Sequence, residues 1–317
     1  MSDTSSALPP GCSTVDACPL DLAYLHYLPN LGGNVFYAAV FGMLAVLQLF
    51  FGYCHRTWGF TLCFVFGLVL EVIGYAGRVV MRNNPFDLNN FVLYLVPLTI
   101  GPAFMSAGIY LCLARIVVLY SSEGIEISRI KPRTYSVIFV ACDFISLVLQ
   151  AAGGALAASF TGDLSNTGVN LMIAGLAFQV GSMALFISFA GDAAWRIITT
   201  DRRSSDGISS STLFQRFLVA LGLAAICILI RCVFRVAELK DGFDGPLANN
   251  EVTFMILEGV MMVVAATSLT IYTPGRSFQG AWEQMNFKFR GGKNTDIEAD
   301  FRDKTPFKSD SSDTKCG

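Results

Sequence analysis

Glu71 and Arg78 stand seven residues apart in EVIGYAGR, directly after WGFTLCFVFGLVL, a run of thirteen residues without a charge. The same intrusion of ionisable groups into apolar sequence recurs at Arg115, Asp143, Arg231, Arg235 and Glu258. A helix turns once per ~3.6 residues, so positions i, i+4 and i+7 share a face. Glu71, Tyr75 and Arg78 then form one stripe. Asp143, Ser146 and Gln150 form a second, running into Gly153 and Gly154. Gly175, Gln179 and Ser182 make a third, and Arg231, Arg235 and Glu238 a fourth, while Glu251 and Glu258 are again seven apart. Charges in a bilayer are costly and face a bundle interior or a watery cavity, where they hold a polar ligand, a proton or one another.

Each of these residues also has a purely architectural reading. Arg78, Arg235, Glu238 and Glu251 lie near the ends of their apolar runs, from which long side chains reach the headgroups. Arg115 and Asp143 are placed to form an ion pair that fixes two helices. Glu71 and Glu258 sit roughly two turns in, so burial without a partner would favour their neutral forms; they line a cavity or pair with Arg231 or Arg235. Gly153 and Gly154 admit either a ligand or a closely packed helix.

The elements that must position these groups follow from composition. The chain has 317 residues, 53% hydrophobic and 15% charged, with 26 phenylalanines, against about 25% charged in soluble domains. Seven apolar stretches, near 34–53, 58–78, 90–119, 135–157, 169–190, 213–235 and 252–272, are long enough to cross a membrane, which takes about 20 helical residues. The fold class expected is all-α, a polytopic seven-helix membrane protein. Pro97, Gly101 and Pro102 predict a kink or broken turn in the third helix. Fifteen lysines and arginines fall in loops of one parity and the tail, against two, Arg82 and Lys240, in the other set. The positive-inside rule then places the N-terminus outside and the C-terminus in the cytoplasm. No cleavable signal peptide is visible in the first 33 residues.

Three regions result: an external segment at 1–33, a seven-helix domain at 34–275, and a polar, mostly disordered cytoplasmic tail at 276–317. Trp282, Phe287 and Phe289, interleaved with Lys288, Arg290 and Lys293, suit either an interfacial segment or plain tail. RRSS at 202–205 matches a common basic-directed phosphorylation pattern. Cys12 and Cys18 lie in the external segment, where a disulfide persists. Cys63, Cys112, Cys142, Cys227 and Cys232 read as small packing residues within spans.

Several chemistries lack their residues. The two histidines, His26 and His55, both lie outside the spans, which disfavours a histidine-ligated intramembrane zinc. No span holds a lysine for a retinal Schiff base, and GxxxxGK[ST], GxSxG and CxxC are all absent. No catalytic residue, metal or nucleic-acid partner is expected.

EVIGYAGR, PLTIGPAFMSAGIYLCLARI, DFISLVLQAAGG, GLAFQ, RCVFRVAELKDG and the closing E…E…TPGR, in that order, resemble the fungal lipid-translocating exporter family, seven-span proteins named for resistance to an aminocholesterol. CSTVDACPLDLAYLHYLPNLGGN is similar to the family's entry to its first helix. The resemblance covers about residues 12 to 276. It implies a fungal, multi-pass protein of the plasma membrane that moves, or protects against, amphipathic lipids such as sphingoid long-chain bases or sterol amines. Glu258 stands where members often carry aspartate, and Thr273–Pro274 where they tend to end with His-Pro.

Residues and resemblance together predict an intramembrane cavity for an amphipathic lipid. Glu71 and Glu258 would meet its head, and Arg231 and Arg235 would hold those carboxylates, with Tyr75, Arg78 and Gln179 in the same polar lining. Asp143 and Gln150 would line a route from the inner leaflet. Membrane lipids are the expected partners, and no cofactor is required. Two alternatives stay open: a haem- or porphyrin-binding protein, with Cys, Met or Tyr as axial ligand, and a seven-helix lipid receptor. A receptor is disfavoured by IYTPGR in place of NPxxY and by ARIVVLY without an acid before Arg115.

Overall fold

A computed structural model describes residues 23, 25–122, 132–159, 163–201, 212–240, 245, 247 and 249–277. Cys12, Cys18, the RRSS segment and the aromatic-basic tail segment lie outside the described residues. Seven helices long and apolar enough to cross a membrane account for nearly all of it: α1 Leu31–Cys54, α2 Trp58–Met81, α3 Leu88–Ser122, α4 Pro132–Ser159, α5 Asp163–Asp201, α6 Thr212–Lys240 and α7 Glu251–Ile271, followed by one turn, α8 Pro274–Ser277. Neighbours in sequence pack against each other, α7 returns to α1, and α3 also reaches α5 and α6.

Without water in a bilayer, every backbone group must bond internally, which forces helix on these runs. Sorting of side chains is inverted relative to a soluble bundle. On α1 the buried stripe is Asn34, Tyr37, Phe41, Leu44, Ala45, Gln48 and Gly52, while Phe36, Met43, Val46 and Phe50 point outward. Lipid takes the apolar face as readily as a core would, so polar and small residues gather inside.

Close backbone approach does much of the packing. A Cβ on Gly153 of α4 would stand 2.6 Å from the Gly168 carbonyl oxygen of α5, and one on Gly168 would stand 2.5 Å from the Ala157 nitrogen. Gly153 is thus a packing residue. On α7, residues Met255–Val260 form a π turn. There the Tyr37 ring of α1 presses on Gly259, where a Cβ would be 2.5 Å from Cζ, and the Tyr37 hydroxyl donates to the Met255 carbonyl at 2.8 Å.

α3 is continuous through Pro97 and Pro102, so the turn there is not broken, and Arg231 supplies a donor to the Leu98 oxygen that Pro102 leaves open. One expectation of length needs correcting. α5 is 39 residues long, well beyond the apolar stretch at 169–190. At ~1.5 Å per residue it exceeds the ~30 Å hydrocarbon thickness, and its exposed end carries an Asp192–Arg196 ion pair of 3.0 Å across one turn.

Candidate functional site

The polar groups sort into three places. At the first, the starts of α1 and α7 meet the end of α2. Asn30 caps α1, accepting from the Gly33 N–H at 3.1 Å, and Asn250 caps α7 through the Thr253 N–H at 3.1 Å. The chain leading into α1 lies across this end: His26 N donates to Asn249 Oδ1 at 2.9 Å, Arg82 donates to the Pro29 carbonyl at 2.8 Å, and Asn30 N donates to Glu251. Beneath it Arg78 is fully buried. Its Nε donates to Asn34 Oδ1 at 3.1 Å, its Nη2 donates to the Tyr27 hydroxyl at 2.8 Å, and its guanidinium lies 3.9 Å from the Phe254 ring centre. Burial pushes the Tyr27 phenol above its ordinary range, with Arg78 opposing, so it remains a neutral partner. Arg78 therefore neither reaches toward headgroups nor pairs with Glu71; an aromatic cage holds it.

One turn deeper, Glu71, Arg231 and Glu258 form a triad. Arg231 Nη2 donates to Glu258 Oε1 at 2.7 Å and lies 3.9 Å from Glu71 Oε1. The same nitrogen donates to the Leu98 carbonyl oxygen. Pro102 has no N–H, so the oxygen four residues earlier, that of Leu98, loses its helical donor, and Arg231 replaces it. Glu71 packs against the α3 backbone at Gly101, where a Cβ would be 3.2 Å from Oε1. Neither Glu71 oxygen has a hydrogen-bond partner among the described residues, nor has the Tyr75 hydroxyl below the stacked Phe41 ring, 5.6 Å away. Arg235 does not hold Glu71 or Glu258: its Nη1 donates to Glu238 on its own helix at 2.5 Å.

The second place lies between α3, α4 and α5. Asp143 Oδ2 accepts from the Ser106 hydroxyl at 2.8 Å and the Tyr110 hydroxyl at 2.9 Å, and Oδ1 accepts from Ser182 at 3.3 Å. The expected Arg115–Asp143 pair is not formed; Arg115 points to α2, with Nη2 beside Gly59. Three hydroxyls from two helices satisfy the carboxylate instead. A stripe rule applied to α3 would have found Ser106 and Tyr110, which are four apart.

The third is a cavity of about 420 Å³ bounded by α3, α4, α5 and α6. Its walls are apolar except for Thr99, Gln150, Ser165 and Arg235. Val92 and Val96, which line it, are 41% and 43% exposed, so it opens sideways onto the lipid-facing surface. Gln150 Nε2 donates to Gln179 Oε1 at 3.1 Å, and the Gln150 Oε1 acceptor has no partner among the described residues. Gly154 lines the cavity while adjacent Gly153 faces α5. Of the expected site residues, Gln150 and Arg235 reach this lining; Glu71, Tyr75, Arg78, Arg231 and Glu258 lie on its far side across α3, and Asp143 is deeper on α4.

The family model for RTA1-like proteins matches residues 64–281. The chain belongs to the RTA1-like family. That span contains the whole triad, the Asp143 cluster and every cavity residue, whereas Tyr27, Asn34 and Tyr37 precede it. A sphingoid long-chain base transporter, RSB1, of Saccharomyces cerevisiae is 34% identical over 285 residues, covering 80% of this chain and 74% of the relative. Protein RTM1 of the same yeast is 30% identical over 63% of each chain. Protein RTA1 is 26% identical over 86% of this chain and 93% of its own. No solved structure matches. The RTA1-like chain is thus a multi-pass membrane protein with seven spanning helices and fungal relatives, one of them named as a transporter.

Proposed function

We propose that the protein translocates or exports amphipathic lipids of the sphingoid long-chain-base type, with sterol amines as the nearest competing substrates. The observation that carries this is the cavity: about 420 Å³, within the ~300–1,000 Å³ usual for small-molecule sites, mostly apolar, and lined by the half-exposed Val92 and Val96 on the lipid-facing side of α3. A hydrocarbon chain enters such a space from lipid without crossing a polar barrier. The head, an amine with neighbouring hydroxyls, is a set of donors, and Gln150 Oε1 is a buried acceptor lacking one. Arg235, which also lines the cavity, is paired with Glu238 at 2.5 Å, which offsets its repulsion of a cation. Its Nε, also without a partner among the described residues, suits a hydroxyl. Gln179 fixes the Gln150 amide, while Glu71, Glu258 and Arg231 act from behind α3. The name of the yeast relative supports the same substrate class.

The charge bias of the loops supports a plasma-membrane protein with 1–33 outside and 276–317 in the cytoplasm. GxxxxGK[ST] does not occur in the sequence, so the reading includes no P-loop ATPase of the chain's own.

Native mass spectrometry with lipid extraction on protein purified in mild detergent tests the reading. Co-purified sphingoid base, reduced in Gly154→Leu protein of unchanged thermal stability, supports it. A Soret band in the absorbance scan, or lipid content indifferent to a filled cavity, overturns it.

A further inference from the structure

Glu71, Arg231 and Glu258 comprise two carboxylates and one guanidinium, all at most 2% exposed. Arg231 Nη2 donates to Glu258 and the Leu98 carbonyl and stands 3.9 Å from Glu71 Oε1, so among the described residues neither Glu71 oxygen accepts a hydrogen bond, although Arg231 Nε has no partner either. An ionised carboxylate in that state is strongly disfavoured, and a bound proton removes the penalty. The other groups facing it do not supply a cation. On α2, Tyr75 is neutral and Arg78 is held two turns away by Asn34 and Tyr27. On α6, Arg235 is committed to Glu238, and Cys232 neighbours Arg231. Among the described residues, α7 contributes the acid Glu258, α1 the Tyr37 ring against Tyr75 at 5.1 Å, and α3 its backbone at Leu98 and Gly101.

The same stretch of α3 faces the cavity. Leu98 and Gly101 touch the triad, while Thr99 and Ile100 between them line the cavity. Pro97 and Pro102 bracket this stretch, and within it Pro102 deprives the Leu98 oxygen of its helical donor. Its position therefore depends on whether Arg231 bonds the Leu98 oxygen.

We infer that Glu71 is an exchangeable proton-binding site coupled to the lipid cavity through Leu98–Gly101, so that one proton moves opposite to one cationic lipid. With Glu71 protonated, Arg231 caps Leu98 and the cavity wall is fixed. When Glu71 releases its proton, the carboxylate draws Arg231 across the present 3.9 Å gap, the Leu98 oxygen is freed, and the wall relaxes around the incoming head. The proton leaves to one side as the ammonium is bound from the other, and no other bond is made or broken. The coupling rests on the proposed lipid transport; the proton site does not.

Two measurements separate these. Infrared difference spectra of the wild-type protein in lipid should show a protonated-carboxyl band at neutral pH that disappears in Glu71→Gln and persists in Glu238→Gln. Absence of that band in wild type overturns the proton site whatever the protein transports. Sphingosine movement is then followed in vesicles with an imposed pH gradient, protein-free vesicles subtracted. One-for-one exchange gives about a tenfold change in steady-state distribution per pH unit, lost in Glu71→Gln, which holds the wall in its fixed state. Movement indifferent to the gradient overturns the coupling and leaves the transport reading standing. No protein-dependent movement at all overturns both the coupling and the transport reading, with the infrared result still deciding the proton site.

Discussion

Arg231 on α6 caps the carbonyl of Leu98 on α3, the one oxygen that Pro102 strips of its helical donor. A side chain thus completes a neighbouring helix's backbone, and the two defects, a missing N–H and a buried charge, offset each other. Arg231→Met leaves both Leu98 and Glu258 unsatisfied and should destabilise by about 3–5 kcal/mol. In a Pro102→Ala background the introduced alanine supplies the N–H, and the loss should shrink by on the order of 1 kcal/mol. A double-mutant cycle on denaturant unfolding measures this, and strict additivity would show the cap to be energetically idle.

Adjacent glycines should respond oppositely. Gly153→Ala sets a methyl 2.6 Å from rigid backbone of α5 and should cost about 1–3 kcal/mol. At Gly154 a Cβ meets only the flexible end of Met172, at 3.7 Å. Gly154→Ala should therefore leave the melting temperature unchanged while reducing the volume available to a lipid chain. Thermal unfolding in detergent and lipid co-purification, run on both variants, check the contrast.

Asp143 is satisfied by hydroxyls that can reverse their donors. Asp143→Asn keeps hydrogen bonding with Ser106, Tyr110 and Ser182 and should cost about 1 kcal/mol, whereas Asp143→Leu orphans all three and should cost about 3 kcal/mol or more. A proton-carrying role at Asp143 would instead show as loss of transport in the asparagine variant at near-normal stability.

Tyr27→Phe removes the hydroxyl that Arg78 Nη2 meets at 2.8 Å and should lower stability by about 1–2 kcal/mol. Because burial raises the Tyr27 phenol above 10.0, its contribution is complete below that pH. Above it, the unfolded chain ionises first, so the gap between wild type and Tyr27→Phe should close as pH rises. A gap that widened in alkali would mean that Arg78 stabilises the phenolate.

How much of this could be read from the chain depends on which contacts are local. The seven spans and the buried stripes of α2, α4 and α6 follow from hydropathy and helical period, which act within one element, and the family follows from the resemblance of the motifs those helices carry. Partner choice does not. Arg115 and Asp143 are neighbours by depth, yet three hydroxyls reach the carboxylate first. Arg235 is four residues from Arg231, but the i, i+3 spacing to Glu238 captures it. The cavity depends on how α3 to α6 splay, a tertiary outcome with no signature beyond Gly154 and the amide of Gln150. The Leu98 carbonyl was foreseeable in principle from Pro102, since proline always disarms the residue four before it.

The π turn of α7 sets the angular phase of everything after it. A π turn holds one residue more than the α-helical path it replaces, equivalent to roughly 100° of rotation. Removing a single residue from Met255–Val260 would leave α7 as apolar and very nearly as long. It would nevertheless turn the remainder of the helix out of register with α6, separating Glu258 from Arg231 and Gly259 from Tyr37. Hydropathy is blind to such a deletion, so two chains with matching membrane profiles can differ in whether this centre exists at all.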